Sequence, residues 1–169
     1  YHNVPIINGM EQKDGEKYRA DKVSHVADEA VSSLSMNLEK AYTDEAHVDS
    51  WRRTISLDRE YNWVEVTEQY KLDSLEIEKD RLKGQVFDNQ IILMAYGKPV
   101  VQKAGKILLQ NGWVRLEYDA QYLSASVEKV QMTDGIMKTQ WKDNVYRIIL
   151  RLNDNYPMAR VKYRFVKTK

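Results

Sequence analysis

Three cationic side chains alternate along the last apolar segment of the sequence. Arg160, Lys162 and Arg164 occupy every second position, so in a strand they point to one face. Such a row would attract a polymer of acidic sugars and offer donors to its carboxylate or sulfate groups. Arg147 and Arg151 form a second cationic pair on the segment before it. The same pattern also fits an ordinary solvated sheet face whose cations are neutralised by acidic neighbours.

Four tryptophans supply aromatic faces that could stack on sugar rings. Trp63 and Trp113 fall opposite the more apolar face of their segments, so we expect them to be more exposed than Trp51 and Trp141. Trp63 and Trp113 therefore join the three cations as candidate substrate-binding residues. The alternative for all four is packing in the core or between layers.

Several chemistries are excluded by the residues themselves. The sequence has no cysteine, no Gly-rich phosphate loop, no nucleophile elbow and no His-Glu-x-x-His segment. A net charge of +1 provides no overall field toward nucleic acid or an anionic membrane. His25 and His47 have no ligand partner at a useful spacing and are interpreted as surface or packing residues. No catalytic residue is assigned, because nothing selects one tyrosine among eleven.

The elements that must position these residues show a period of two, which is typical of half-buried strands. The apolar positions of the alternating segments are Leu34, Met36 and Leu38; Val64, Val66, Tyr70 and Leu72; Val114, Leu116 and Tyr118; Leu123, Ala125 and Val127; Tyr146, Ile148, Leu150 and Leu152; and Ala159, Val161, Tyr163 and Phe165. Leu75 and Ile77 continue the alternation after Asp73-Ser74 and predict a further strand.

Turn signals separate the predicted strands. They are Asp14-Gly15, Tyr96 to Pro99, Asn111-Gly112, Asp134-Gly135 and Asn153 to Pro157. About a dozen short strands spaced in this way, with no long helix, predict an all-β fold, an antiparallel multi-stranded β-sandwich. No linker-like or low-complexity tract interrupts the sequence, so we expect one domain over residues 1–169.

Three stretches resemble the C-terminal β-sandwich domain of heparinase II/III-like polysaccharide lyases. The first is residues 2–12 (HNVPIINGMEQ), which matches a His-Asn-x-x-x-x-(Asp/Asn)-Gly-x-x-Gln pattern. The second is Ala41-Tyr42 with residues 51–59 (WRRTISLDR) and 64–70 (VEVTEQY), where the family often has Asp in place of Glu68. The third is residues 116–119 (LEYD) with 141–148 (WKDNVYRI). The matches follow the order of the family.

The resemblance implies a larger parent polypeptide, in which an α/α toroid domain precedes the sandwich and packs against it. Members of the family cleave uronic-acid polysaccharides by β-elimination, in which a base removes the proton beside the carboxylate and an acid protonates the leaving oxygen. The resemblance places these proton-transferring groups in the toroid and in a His-x-His segment that this sequence does not contain. The first strands of the family's sandwich are expected to be missing as well, which predicts an exposed edge or an incomplete sheet.

The resemblance also implies a zinc site. Family members bind zinc through the second His of the His-x-His segment, a later Asp and the His of the His-Asn motif, a ligand set that suits zinc. By that correspondence His2 is the third ligand. Zinc is therefore expected in the intact parent enzyme but not in residues 1–169 alone.

The sequence thus predicts the C-terminal β-sandwich portion of a lyase for heparin-like, heparan sulfate-like or alginate-like polysaccharides. This portion would support the substrate cleft without catalysing the reaction, in a periplasmic or secreted enzyme. One alternative is a non-catalytic carbohydrate-binding module for acidic glycans. Another is a structural sandwich domain used for protein contacts.

Overall fold

A computed structural model describes residues 2–85, 88–154 and 156–168 of the chain. Twelve strands and two short α-helices occur in this part of the chain. In order they are β1 (Pro5–Ile6), β2 (Asp21–Ala27), β3 (Val31–Asn37), β4 (Val48–Asp58), β5 (Trp63–Leu72), α1 (Ser74–Leu82), β6 (Gln90–Ala95), β7 (Val100–Lys103), β8 (Lys106–Leu109), β9 (Val114–Tyr118), β10 (Leu123–Gln131), α2 (Gly135–Trp141), β11 (Asn144–Leu152) and β12 (Met158–Lys167).

The strands form two antiparallel sheets. The small sheet has the order β1-β6-β11-β10, and the large sheet has the order β2-β3-β4-β5-β12-β9-β8-β7. In the centre of the large sheet β12 lies between β5 and β9, although these three strands are far apart in the sequence. The predicted all-β sandwich is confirmed.

The core lies between the two sheets and follows the alternation of the sequence. On the small sheet Ile148 pairs with Leu93 and Leu150 pairs with Ile91, and all four side chains are buried. The facing side of the large sheet contributes a second set of buried apolar residues to the same cluster: Val66, Tyr70, Leu72, Ile107, Leu116, Val161 and Tyr163. Burial of these period-two positions leaves the intervening polar residues of the large sheet on its outer face.

The segment after Asp73 forms a helix, so the prediction of a strand at Leu75 and Ile77 is wrong. Oδ1 of Asp73 accepts hydrogen bonds from the backbone N–H groups of Leu75 (3.0 Å) and Glu76 (3.2 Å). These bonds satisfy donors that a helix leaves free at its N-terminus. Leu75 is consequently exposed rather than part of a core-facing strand.

The predicted turns have mixed outcomes. Asn111 and Gly112 have the positive φ angles of a left-handed turn between β8 and β9, and Gly97 has one between β6 and β7, as expected. Asp134 instead caps the start of α2, because its Oδ1 accepts from the N–H of Met137 at 2.9 Å. The signal at residues 153–157 includes Asn155, which lies outside the described residues.

The N-terminal segment runs along the outer edge of the small sheet. Beyond the two-residue strand β1, the carbonyl oxygen of Val4 accepts from the N–H of Ile92 (3.2 Å) and Oδ1 of Asn3 accepts from that of Met94 (2.6 Å). These contacts cover part of the edge of β6. Neither helix in the described part of the chain has the length and apolar character to cross a membrane.

Candidate functional site

The register of the large sheet arranges polar side chains in rows on its outer face. Arg52 on β4 pairs with Gln69 on β5, and Gln69 pairs with Arg160 on β12. Residues two positions along each strand lie on the same face, so Thr54, Thr67 and Lys162 form the next row. These rows place the candidate cations of β12 beside residues from distant parts of the sequence.

Lys162 and Arg164 are both neutralised by one carboxylate. Nζ of Lys162 lies 2.8 Å from Oε1 of Glu65, and Nη2 of Arg164 lies 2.8 Å from its Oε2. Partial burial of Glu65 works in the opposite direction, but these two hydrogen bonds lower the pKa of its carboxyl group below the ordinary value. Glu65 therefore remains ionised near neutral pH and holds both cations on the sheet.

The tryptophan candidates occupy different environments. Trp63 is half-buried, and the guanidinium carbon of Arg164 lies 4.4 Å from its ring centroid, in a cation–π contact. Trp113 is 55% exposed, as expected, but it lies near the far end of β12 from Arg160, where Thr168 donates to its carbonyl oxygen. Trp51 is buried, and Trp141 is 43% exposed against the expectation. The structure thus brings Trp63, Lys162 and Arg164 together but not Trp113.

Arg160 differs from its two neighbours on β12. Its side chain is exposed, and no hydrogen bond or ion pair of Arg160 occurs among the described residues. Arg52, at the other end of the same row, contacts only the neutral oxygens of Asn37 (3.2 Å) and Ser24 (3.5 Å). Within the described part of the chain, neither guanidinium group forms an ion pair with a carboxylate; the nearby Glu39 carboxylate is hydrogen-bonded to Asn37.

The second cationic pair of the sequence lies on the small sheet and is neutralised there. Nε of Arg147 donates to Oε2 of Glu128 at 3.0 Å, and Nε of Arg151 lies 3.1 Å from Oδ1 of Asp88. Each guanidinium thus has its own carboxylate partner. These arginines are weaker candidates for an acidic ligand than Arg52 and Arg160.

A buried carboxylate occupies the inner face of the large sheet. Glu68 has no solvent exposure and lies directly opposite Arg53 in the register. Nε of Arg53 donates to its Oε1 (2.7 Å), Nε1 of Trp51 to its Oε2 (2.8 Å) and the hydroxyl of Tyr163 to its Oε1 (3.2 Å). These contacts offset the solvation free energy that a carboxylate loses on burial.

The buried ion pair also binds the N-terminal segment. Nη1 of Arg53 donates to the carbonyl oxygen of Asn3 over 2.8 Å, and the hydroxyl of Tyr42 donates to that of Pro5 over 2.5 Å. Burial raises the pKa of the Tyr42 phenol, and burial followed by the nearby Glu68 carboxylate raises that of Tyr163. Both phenols therefore serve as neutral donors: Tyr42 holds the backbone at Pro5, and Tyr163 holds the Glu68 carboxylate.

The anchoring of residues 3–5 places His2 at the surface of the small sheet. Its side chain is exposed and borders a pocket of about 360 Å³ lined by Met94, Tyr96, Met137 and Trp141 among others. No group of three His, Cys, Asp or Glu side chains able to hold a metal occurs among residues 2–85, 88–154 and 156–168. The described residues do not form a zinc site by themselves, because His2 lacks companion ligands there.

The remaining histidines have ordinary surroundings. His25 is exposed on β2, and Nε2 of His47 lies 2.8 Å from Oδ2 of Asp80, so that the imidazole links the turn before β4 to α1. Hydrogen bonds from Lys83 first and His47 second lower the pKa of Asp80. Both histidines agree with their interpretation as surface or packing residues.

Sequence reasoning missed Arg52, Gln69 and the buried pair of Arg53 with Glu68. The matched stretches contain all four residues, but only the strand register shows that Arg52 and Gln69 lie in line with Arg160. The alternation of β5 did carry one signal, since Glu68 occupies a position between Val66 and Tyr70 that faces the core.

Comparison with solved structures supplies a match in fold. The chain superimposes on heparan sulfate lyase HepC from Pedobacter heparinus with a TM-score of 0.67 and 7% identity, covering 98% of this chain and 24% of that chain. A HepC mutant matches with a TM-score of 0.67 and 6% identity, covering 99% and 25%. No protein-family model and no curated protein matches the sequence.

The chain spans about a quarter of the length of these lyase chains. At 6–7% identity the likeness shows a common fold. The fold that the sequence resemblance implied is therefore confirmed: this β-sandwich is built like a region of a heparan sulfate lyase.

Proposed function

We propose that this chain is the β-sandwich portion of a polysaccharide lyase that cleaves uronic-acid polysaccharides by β-elimination. The proposal is carried by the match in fold to heparan sulfate lyase HepC over 98% of the chain. The three stretches that resemble heparinase II/III-like lyases support it independently of the structure. The substrate class is that of heparin, heparan sulfate or alginate.

The proposed role of this portion is to support the cleft rather than to transfer protons. β-Elimination needs a base and an acid that reach the substrate from within a cleft. The phenols of Tyr42 and Tyr163 are buried and hydrogen-bonded to protein groups, so they are poorly placed for this task. The catalytic groups would then lie in an α/α toroid domain that precedes this portion in the same polypeptide.

The buried ion pair of Arg53 and Glu68 is the contact through which this portion would support the cleft. It fixes the backbone of Asn3 and thereby the position of His2 at the surface. We propose His2 as one zinc ligand of the intact enzyme, with the remaining ligands supplied from outside the described residues. A periplasmic or secreted location completes the proposal, because acidic polysaccharides are too large to enter the cytoplasm uncut.

The test is a lyase assay on the natural full-length polypeptide that contains this sequence and on residues 1–169 alone. Ultraviolet absorbance of the unsaturated uronate product is followed with a panel of acidic polysaccharides. Absorbance from the full-length polypeptide alone is the expected result. Activity of residues 1–169 alone would contradict the supporting role, and inactivity of both proteins on every polymer would contradict the lyase.

A carbohydrate-binding module for acidic glycans is the second candidate function. The observation in its favour is that Arg52 and Arg160 lie on the outer face without a carboxylate ion-pair partner among the described residues. A binding module would retain acidic glycan in a polypeptide that shows no elimination activity.

A further inference from the structure

We propose that the outer face of the large sheet binds acidic polysaccharide through a polar strip centred on Arg52, Gln69 and Arg160. The polar strip comprises the row Asn37, Arg52, Gln69 and Arg160 together with the hydroxyl pairs Ser35–Thr54 and Ser33–Ser56 on β3 and β4. The proposal rests on the proposed function in one respect, which is the chemical class of the polymer. It adds a binding surface on the β-sandwich, separate from the residues that perform elimination.

The distribution of ion pairs makes the row of Arg52, Gln69 and Arg160 a better anion-binding surface than the rest of β12. Glu65 holds Lys162 and Arg164 at 2.8 Å each, and Arg164 also covers the ring of Trp63. An incoming anion would have to replace those contacts. Arg160 has no such partner in the described residues, and Arg52 contacts only neutral oxygens, so both retain donors for an anion.

The spacing of the two arginines suits a linear polymer with repeated acidic groups. Arg52 and Arg160 are separated by the single strand β5, which places their Cα atoms about 10 Å apart at the usual strand spacing. Gln69 lies between them with an exposed side-chain amide. Two guanidinium groups can thus engage two separate carboxylate or sulfate groups, while the amide donates to or accepts from a hydroxyl between them.

The hydroxyl pairs extend the strip along β3 and β4. Oγ of Ser35 lies 3.0 Å from Oγ1 of Thr54, and Oγ of Ser56 donates to Oγ of Ser33 at 3.1 Å. All four side chains are short and half-buried, so they form a low surface beside the longer Arg52. Each hydroxyl has both a donor and acceptor capacity, which matches the hydroxyl groups of a sugar ring.

This chemistry favours a glycan over a nucleic acid. Sequence-independent binding of nucleic acid relies on many phosphate contacts, and the polar strip has only two cations without a carboxylate partner in the described part of the chain. Its other members are neutral groups suited to hydroxyls. The net charge of +1 gives no broader field that would compensate.

The test measures the affinity of the 169-residue chain for size-defined heparin, heparan sulfate and alginate oligosaccharides by calorimetry at low salt. The variants are Arg160→Gln and Arg52→Gln, and the matched control is Arg164→Gln, which removes a neutralised cation from the same face. We expect each of the first two substitutions to weaken binding about tenfold and to make its salt dependence shallower, with the control changing affinity less than twofold. Thermal unfolding of every variant verifies that each one is folded.

Three outcomes would overturn the proposal that the polar strip binds acidic polysaccharide. They are no binding of any acidic oligosaccharide by the wild-type chain, equal weakening by the control and the two test substitutions, and equal or tighter binding of single-stranded DNA. The lyase assay on the full-length polypeptide separates this failure from that of the proposed function. If the full-length polypeptide catalyses elimination but the 169-residue chain binds no oligosaccharide, only the proposed binding by the polar strip is overturned. If binding depends on the strip but the full-length polypeptide catalyses no elimination, only the proposed lyase function is overturned.

Discussion

At the scale of single residues, Glu68 links the sheet to the N-terminal segment. Its carboxylate accepts hydrogen bonds from Trp51, Arg53 and Tyr163, and Arg53 in turn binds the carbonyl oxygen of Asn3. Burial of both charges costs solvation free energy that the pairing only offsets. The pair therefore contributes more to the position of residues 2–5 than to the net stability of the sandwich.

Neutralising this carboxylate leaves a buried, unpaired guanidinium. We expect Glu68→Gln to lower the free energy of unfolding by about 3–5 kcal/mol, measured by urea denaturation. The double variant Arg53→Met with Glu68→Gln removes both charges and keeps an acceptor for Trp51. It should be more stable than Arg53→Met alone. A loss below 1 kcal/mol for Glu68→Gln would contradict this role of the pair.

Buried phenols predict a loss of stability at alkaline pH. Burial raises the pKa of Tyr70 to about 12, and burial also raises the pKa values of Tyr42 and Tyr163. Because these folded-state pKa values exceed the unfolded value of about 10, the stability they support is complete below pH 10 and is lost as the pH rises further.

Ultraviolet titration of tyrosine ionisation, combined with circular dichroism, measures this effect. We expect these three phenols to ionise only together with unfolding. Tyr70→Phe should remove one late-ionising group. Reversible ionisation of all eleven tyrosines near pH 10 in a chain that retains its β-sheet signal would contradict the burial of the three phenols.

At the scale of elements, β5 and β12 determine where charge is available on the outer face. Their antiparallel register places Glu65 opposite Arg164 and Gln69 opposite Arg160. One end of β12 is consequently neutralised by ion pairs, whereas Arg160 at the other end has no ion pair with any described residue. A shift of the register by one residue would move the core-facing positions of β12 to the surface, so burial of Val161 and Tyr163 fixes this arrangement.

The ion pairs of Glu65 predict a loss of stability in acid. Lys162 and Arg164 lower the pKa of Glu65 against the opposing effect of its partial burial. The stability that these ion pairs contribute is therefore present above the ordinary pKa of 4.5 and is lost as the pH falls through the lowered value. We expect Glu65→Gln to lower the unfolding free energy by only about 1 kcal/mol at pH 7, since both cationic side chains are about half exposed to solvent.

The difference between Glu65→Gln and the wild type should disappear by about pH 2, where the wild-type carboxyl group is protonated as well. Urea denaturation between pH 2 and pH 7 measures it. An Asp28→Asn variant serves as a comparison, because it removes a different carboxyl group between β2 and β3. Hydrogen bonds from the N–H groups of Val31 and Ala30 lower the pKa of Asp28. A constant difference across the whole range would contradict the assignment to Glu65.

Local pattern predicted most strands but not α1. The alternation of apolar and polar residues predicts β5 and β12 correctly, because one face of each strand is more buried and the other is more exposed to solvent. Leu75 and Ile77 alternate in the same way, but the capping bonds of Asp73 start a helix. The row of Arg52, Gln69 and Arg160 depends on pairing between strands up to about a hundred residues apart, which no local period contains.

At the scale of the whole molecule, the sandwich separates two kinds of polar chemistry. The inner face of the large sheet holds the enclosed ion pair of Arg53 and Glu68, and its outer face holds hydroxyl and guanidinium groups that face the solvent. The fold matches about a quarter of a heparan sulfate lyase chain. The proposed supporting domain, with its own contact to acidic polymer, would account for both observations.

The most direct measurement is the time course of ultraviolet absorbance when the natural full-length polypeptide is mixed with heparan sulfate, alginate or a neutral polysaccharide that lacks uronate. We expect rising absorbance with at least one acidic polymer, none with the neutral polymer and none from residues 1–169 alone. Flat absorbance with every acidic polymer, from folded full-length protein, would contradict the proposed polysaccharide lyase function.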